Sequence, residues 1–342
     1  FFIIFLFCDK IKLIFLSSVQ DIIEVKMPIC AIDSHVHMLE APFNESLYAS
    51  KYALINLLQF RPHVLDYFEY FKYTYFIRKT NPLIHAVEKL IMLAIADKIK
   101  NSSQISLTGS MLGANIKYSV VHPVYPYVTS EEVYKVCDFK AFFPFSSPPV
   151  DKPDCLSQAE KDLSKGCLGI KIHPLLQGLD LDSRIYKELV SLAAARGVPV
   201  VTHFGGSPAM FGIRNGLGHL DARKIKELAR HSKKTRLVVA HCGLWQNEEV
   251  LEQIKGLDNV YIDTSFQSPA FIKKAAGVIG SGRILLGSDF PVGNQKLCRQ
   301  NVIESKLSDS QTEDILYRNA LEIMDFKKAK NNYYSHLANN IR

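Results

Sequence analysis

Residues 168–203 read LGIKIHPLLQGLDLDSRIYKELVSLAAARGVPVVTH. The stretch opens on a short apolar run, Leu168–Ile172, and closes on another, Val198–Thr202, both rich in β-branched residues. Asp182–Arg196 between them has helical spacing. A strand, a helix and a second strand make a βαβ unit, whose strands run parallel. The pattern continues in both directions. Ile116–Val121, Ala141–Phe145, Arg236–Ala240, Val260–Asp263 and Arg283–Gly287 are further apolar runs, with helical stretches such as Asp221–His231 and Glu248–Lys255 among them. Ala31–His37 adds an eighth strand at the front. Eight such units in about 300 residues predict an α/β fold of the (β/α)8 barrel type, a TIM barrel, rather than an open sheet. No GxGxxG follows the first strand, which weakens a dinucleotide-binding reading.

Residues 43–113, after the first strand, are far longer than one βα unit requires. Leu54, Leu57, Leu58, Val64, Leu65 and Phe68 recur at three- and four-residue steps, which predicts a helical insertion. Tyr67–Phe76 is dense in aromatic residues. An insertion here projects from the C-terminal face, where active sites of this fold lie. It is expected to form either a lid or a helical hairpin on the rim, with Ser102–Gly113 as its flexible return.

The composition is that of an ordinary globular chain: 47% of the 342 residues are hydrophobic and 22% charged, ample to bury a core. The net charge of +7 is spread without a basic stripe, so no nucleic-acid partner is expected. Seven dispersed cysteines without a CxxC pair point to reduced thiols and a cytoplasmic protein. Residues 1–26 begin FFIIFLFC, an apolar run of about eight residues against the ~20 needed to span a bilayer. They also lack the basic start and small-residue cleavage site of a signal peptide. This segment is read as a non-native leader, with a membrane-associated helix as the alternative. The barrel then occupies 27–330 and a C-terminal tail 331–342, with no membrane partner.

Chemistry concentrates at strand ends. In Asp33-Ser34-His35-Val36-His37, alternation puts both histidines on one face, an apt chelating pair for a borderline metal such as zinc. His203 closes VPVVTH, His241 closes RLVVAH and Asp289 closes RILLGSD, each followed by turn residues. Any one of these could be a hydrogen-bonded core histidine or a helix-capping aspartate. That explanation would have to recur at several strand C-termini. Lys171 faces inward with Gly169 and His173, and a buried amine needs a partner or a shifted pKa. Three readings are open for it: a salt bridge inside the barrel, to Asp33 or Asp263; a carbamate bridging two metals; or binding of a substrate anion. His173, nearer the mouth, and His122, at the end of strand 2, are candidate substrate contacts.

HxH on strand 1, histidines on strands 5 and 6 and an aspartate on strand 8 resemble the amidohydrolase superfamily. GIKIHP, VTHFGG, VVAHCG, VYIDTS and LLGSDFPVG are similar to its amidohydrolase-related, or amidohydrolase 2, branch. The resemblance runs over residues 29–325, least over 43–113. It implies a TIM barrel holding one or two divalent ions, with zinc expected. In a mononuclear site His35, His37, His203 and Asp289 hold the metal and His241 orients the water. In a binuclear site carbamylated Lys171 bridges the ions and His203 and His241 bind the second. Asp289 then also moves the water's proton to the leaving group, so Asp289, His241 and Lys171 are the implied catalytic residues. The activity implied is hydrolysis of an ester, lactone or amide of a small molecule. The branch also holds non-oxidative decarboxylases, and a barrel that binds metal without catalysis is the remaining alternative. A homo-oligomer is compatible with the aromatic insertion.

Overall fold

The β-branched runs form strands because alternate side chains pack inside the barrel and beneath the helices. In the computed structural model, which describes residues 5–7, 10–12, 25–26, 30–38, 102–205 and 221–340, these are β1 (Ala31–Val36), β2 (Ile116–Val121), β3 (Phe142–Pro144), β4 (Ile170–Ile172), β5 (Val200–Thr202), β6 (Leu237–Val239), β7 (Val260–Asp263) and β8 (Ile284–Leu285). Each falls inside one of the eight predicted runs. β1, β2 and β3 pair in parallel, as do β4 through β8 in sequence order.

Backbone hydrogen bonds close the two remaining seams. Between β3 and β4, Leu168 N donates to Pro144 O at 2.9 Å, Ser146 N to Gly169 O at 2.9 Å and Lys171 N to Ser146 O at 2.6 Å. Between β8 and β1, Ser34 N donates to Leu286 O at 2.8 Å, Asp289 N to His35 O at 2.8 Å and His37 N to Phe290 O at 2.6 Å. The sheet therefore has no free edge, and the chain is a TIM barrel.

The outer layer is helical: α1 (Gln104–Ala114), α2 (Ser130–Val136), α3 (Cys155–Lys165), α4 (Arg184–Arg196), α5 (Arg223–His231), α6 (Asn247–Ile254), α7 (Pro269–Ile279), α8 (Gln295–Glu304) and α9 (Phe326–Asn340). α1 corrects the expectation of a flexible return over Ser102–Gly113. A Ser103–Ser106 capping box starts it, and Leu107, Met111 and Ala114 line one buried face. Those three residues lie four and three positions apart, one face of a helix, so packing of that face orders the segment. The rest of the predicted insertion, up to residue 101, lies outside the described residues, as does the lid reading attached to it. Of the segment read as a tail, residues 331–340 are the later part of α9, and Tyr333 stacks on Phe139 at 4.1 Å between centroids. In the segment read as a leader, Phe5–Phe7 pairs with Lys10–Lys12 and Lys10–Lys12 with Val25–Lys26, both antiparallel. Among the described residues no helix is long and apolar enough to cross a membrane, and the six described cysteines are free thiols.

Candidate metal centre

The C-terminal ends of the strands converge on a cluster of imidazoles. His35 sits in β1 and His37 just past its end, their rings 5.2 Å apart. Asp289, beyond β8, reaches both: its Oδ1 lies 3.1 Å from His37 Nε2 and 3.5 Å from His35 Nε2. The donor atoms of His35, His37 and Asp289 all lie within 4.8 Å of one another. Asp289 holds a left-handed backbone, φ 56°, and its carbonyl accepts the amides of Val292 and Gly293 at 2.9 and 3.1 Å. This tight turn swings the carboxylate back over β1.

The other nitrogens of both histidines are engaged behind the site. His35 Nδ1 lies 2.9 Å from Asp263 Oδ2, and His37 Nδ1 lies 2.8 Å from the carbonyl oxygen of His122. Both partners are acceptors, so each Nδ1 donates and Nε2 is the atom each ring turns toward Asp289. Burial, and next the Lys171 charge, hold His35 well below the ordinary histidine range. Two imidazoles beside a carboxylate, one buried and one part-buried, each braced from behind, fit a divalent cation. His35, His37 and Asp289 are the residues that would hold it.

His241 begins a turn in which His241, Cys242, Gly243 and Leu244 all have positive φ. Left-handed backbone costs non-glycine residues about 1–2 kcal/mol each. The turn is clamped from outside. Gln267 Nε2 donates to His241 O at 2.6 Å while Asn247 Nδ2 donates to Gln267 Oε1 at 2.8 Å. Gly205 makes room for it, since a Cβ there would meet Gly243 O at 2.1 Å. The result brings the His241 ring to 4.9 Å from that of His35, and its Nδ1 to 2.9 Å from Ser265 Oγ.

The other predicted site residues are all buried nearby, in varied settings. His203 stands outside the His35–His37–Asp289 group. Its Nε2 lies 3.1 Å from Gly205 O, its ring is 5.2 Å from that of His241, and burial pushes its pKa down to about 3. His173 stacks on His203 at 3.9 Å, and its Nδ1 accepts the Leu176 amide, capping the short helix Pro174–Gln177. His122 donates from Nε2 to Ser34 O at 2.8 Å and packs on Phe145, behind the β1 histidines.

Lys171 departs from the salt-bridge reading. Among the described residues it forms no ion pair with Asp33 or Asp263, and its Nζ lies 3.2 Å from His35 Nε2. Both carboxylates are already occupied. Asp33 accepts from Ser288 N, Ser288 Oγ, Gln295 Nε2 and His35 N, and Asp263 from His35, His241 N and Ser265. Burial brings the Lys171 ammonium down to about 8, against the pull of Asp289 and Asp263.

Sequence reasoning passed over the supporting residues Ser265, Gln267, Ser288 and Gln295, and saw Asp263 only as a lysine partner. VYIDTS did carry a signal. An aspartate and a serine at i and i+2 leave a strand end on the same side.

A family model described as Amidohydrolase matches residues 135–326, more than half of the chain. The chain belongs to the amidohydrolase family. No curated protein matches it. An uncharacterized TIM-barrel protein from Bordetella bronchiseptica is similar over 87% of this chain and 99% of that one, with a TM-score of 0.62 at 17% identity. A dihydroxybenzoic acid decarboxylase from Polaromonas, with bound manganese and 2-nitroresorcinol, gives 0.53 at 16% identity over 68% and 89%. A probable 2-pyrone-4,6-dicarboxylic acid hydrolase from Acinetobacter baumannii, with citric acid bound, gives 0.51 at 11% identity over 87% and 100%. At these identities the likeness is one of fold. The amidohydrolase thus has its candidate metal centre at the C-terminal face of a barrel, where enzymes of this architecture keep their active sites.

Proposed function

We propose that this amidohydrolase is a divalent-metal-dependent hydrolase of a small ester, lactone or amide, with zinc as the resident ion, working in the cytoplasm. The observation that carries the reading is the meeting of His35 Nε2, His37 Nε2 and Asp289 Oδ1, with both histidines braced through Nδ1. A divalent ion bound there supplies the charge that lowers the pKa of a water and polarises a carbonyl. His203 and His241 are the further ligand candidates, His241 also serving to orient the water. Asp289 accepts the water's proton on its carboxylate and returns it to the leaving group. Burial raises the Asp289 carboxyl above the usual range, which improves it as a base. Burial lowers Lys171 to about 8, so its side chain has a neutral amine within reach for carbamylation and an ammonium for pairing with a substrate anion. His173 and His122 are the proposed substrate-side histidines.

Non-oxidative decarboxylation is the second reading, and the manganese-bound dihydroxybenzoic acid decarboxylase favours it. The two part on products. The purified chain, assayed with lactones and esters and separately with hydroxylated benzoic acids, should release acid from the former. Carbon dioxide from the latter, with no hydrolysis, would replace the first reading by the second. Asp289→Asn should keep much of the metal and lose turnover; full turnover in that variant would remove Asp289 from proton transfer.

A further inference from the structure

Asp263, at the end of β7, is buried, and its two oxygens serve different elements. Oδ2 lies 2.9 Å from His35 Nδ1. Oδ1 accepts the backbone N–H of His241 and that of Ser265, each at 3.0 Å, and the Ser265 hydroxyl in a short hydrogen bond. The Ser265 oxygen lies in turn 2.9 Å from His241 Nδ1.

Counting hydrogens sets the direction of every bond. A carboxylate only accepts, so His35 carries its proton on Nδ1. Ser265 has one hydroxyl hydrogen and directs it to Asp263. Toward His241 the same oxygen therefore accepts, and His241 also carries its proton on Nδ1. Both Nε2 atoms are left with lone pairs. The Lys171 Nζ at 3.2 Å from His35 Nε2 agrees, because an amine or ammonium there has a hydrogen to give.

We infer that Asp263 is the positioning residue for both histidines, acting directly on His35 and through Ser265 on His241, so that both present an unprotonated Nε2 to the site. Gly287, on the neighbouring strand end, leaves the room this needs. A Cβ on Gly287 would stand 2.9 Å from both Cβ and Cγ of Asp263. The inference deepens the proposed metal centre, and its purpose rests on that reading; the tautomers themselves follow from the hydrogen bonds alone.

The test is a long-range nitrogen–proton correlation spectrum of the full chain, labelled on histidine, stripped of metal by chelation and held at neutral pH. His35→Gln and His241→Gln assign the two rings. Both should be protonated on Nδ1. Ser265→Ala should shift His241 toward the Nε2-protonated form and leave His35 unchanged, whereas Ser265→Thr, which keeps the hydroxyl, should restore the original pattern. Asp263→Asn should disturb both rings and weaken zinc binding by about 10–100-fold, read by competition with a chelating dye. A wild-type His241 protonated on Nε2 overturns the inference, as does a Ser265→Ala spectrum identical to that of the wild type. A chain that takes up no metal yet shows both Nδ1 protons overturns the proposed function and leaves the positioning role standing.

Discussion

This barrel carries two clusters of rings, and they are held in opposite ways. Beside the beginnings of β2 and β3, Tyr118, Phe139, Phe143, Phe326 and Tyr333 pack face to face and edge to face, with centroids 4.1–6.0 Å apart. Over the strand C-termini, His35, His37, His122 and His241 gather at similar spacings. The aromatic cluster needs only apolar area and offset geometry, so neighbours on α9 and two strands suffice. Each imidazole instead has two nitrogens that need defined partners. The mouth is therefore full of backbone carbonyls, serines, carboxylates and left-handed turns. One cluster stabilises the fold, and the other is kept at a cost in strain and buried polarity that a purely structural role does not explain.

The largest expected effect lies at the mouth. His37→Ala should abolish metal retention, read by elemental analysis of the purified chain, while leaving the circular dichroism spectrum unchanged. Loss of the folded spectrum would make His37 a structural residue and erase the contrast between the clusters. Next, Phe143→Ala should cost about 3–5 kcal/mol in urea unfolding, as other buried phenylalanine truncations do, without changing metal content per folded chain. Loss of metal in that variant would show that the two clusters are coupled.

A smaller effect sharpens the account of buried polarity. Burial pushes the Asp33 carboxyl up to about 7, against the hydrogen bonds from Ser288 and Gln295 that lower it. Between the ordinary carboxyl value of 3.8 and about 7, the folded chain holds this proton more tightly than the unfolded chain. Its contribution to stability is complete below that window and lost as the pH rises through about 7. Asp33→Asn should therefore remove a decline in stability between about pH 4 and 7, seen as the difference between wild-type and variant urea midpoints. Parallel curves for the two proteins would mean that the hydrogen bonds outweigh desolvation. The smallest effect is expected at Tyr333→Leu, which loses an offset stack worth about 0.5–1.5 kcal/mol and leaves the mouth untouched.

Much of this was legible in the chain. The alternation of Leu168–Ile172, Val198–Thr202 and their relatives is a local property, because a strand buried on both faces must be apolar wherever it goes. His35 and His37 likewise had to share a side, and a polar residue ending each apolar run had to lie at one end of a parallel barrel. What escaped were choices made between elements. Asp33 and Asp263 were both plausible partners for Lys171 by face, yet Ser288, Gln295, His35 and Ser265 took their oxygens and left the lysine on an imidazole. The bracing of β1 by the Nε2 and the carbonyl of His122, a residue proposed on the substrate side, is another such choice. Ser102–Gly113 reads as a flexible return, but Leu107 and Met111 had a buried surface waiting.

The candidate metal centre divides along the same line. The order of residues determined by itself which side chains could reach the mouth, because strand periodicity and parallel topology leave them no other face. Only the tertiary structure decided which of them meet. That depends on the stagger of β8 against β1, on the left-handed turns at Asp289 and His241, and on which carboxylate a given hydroxyl finds first, distances of a few ångströms that no local pattern encodes.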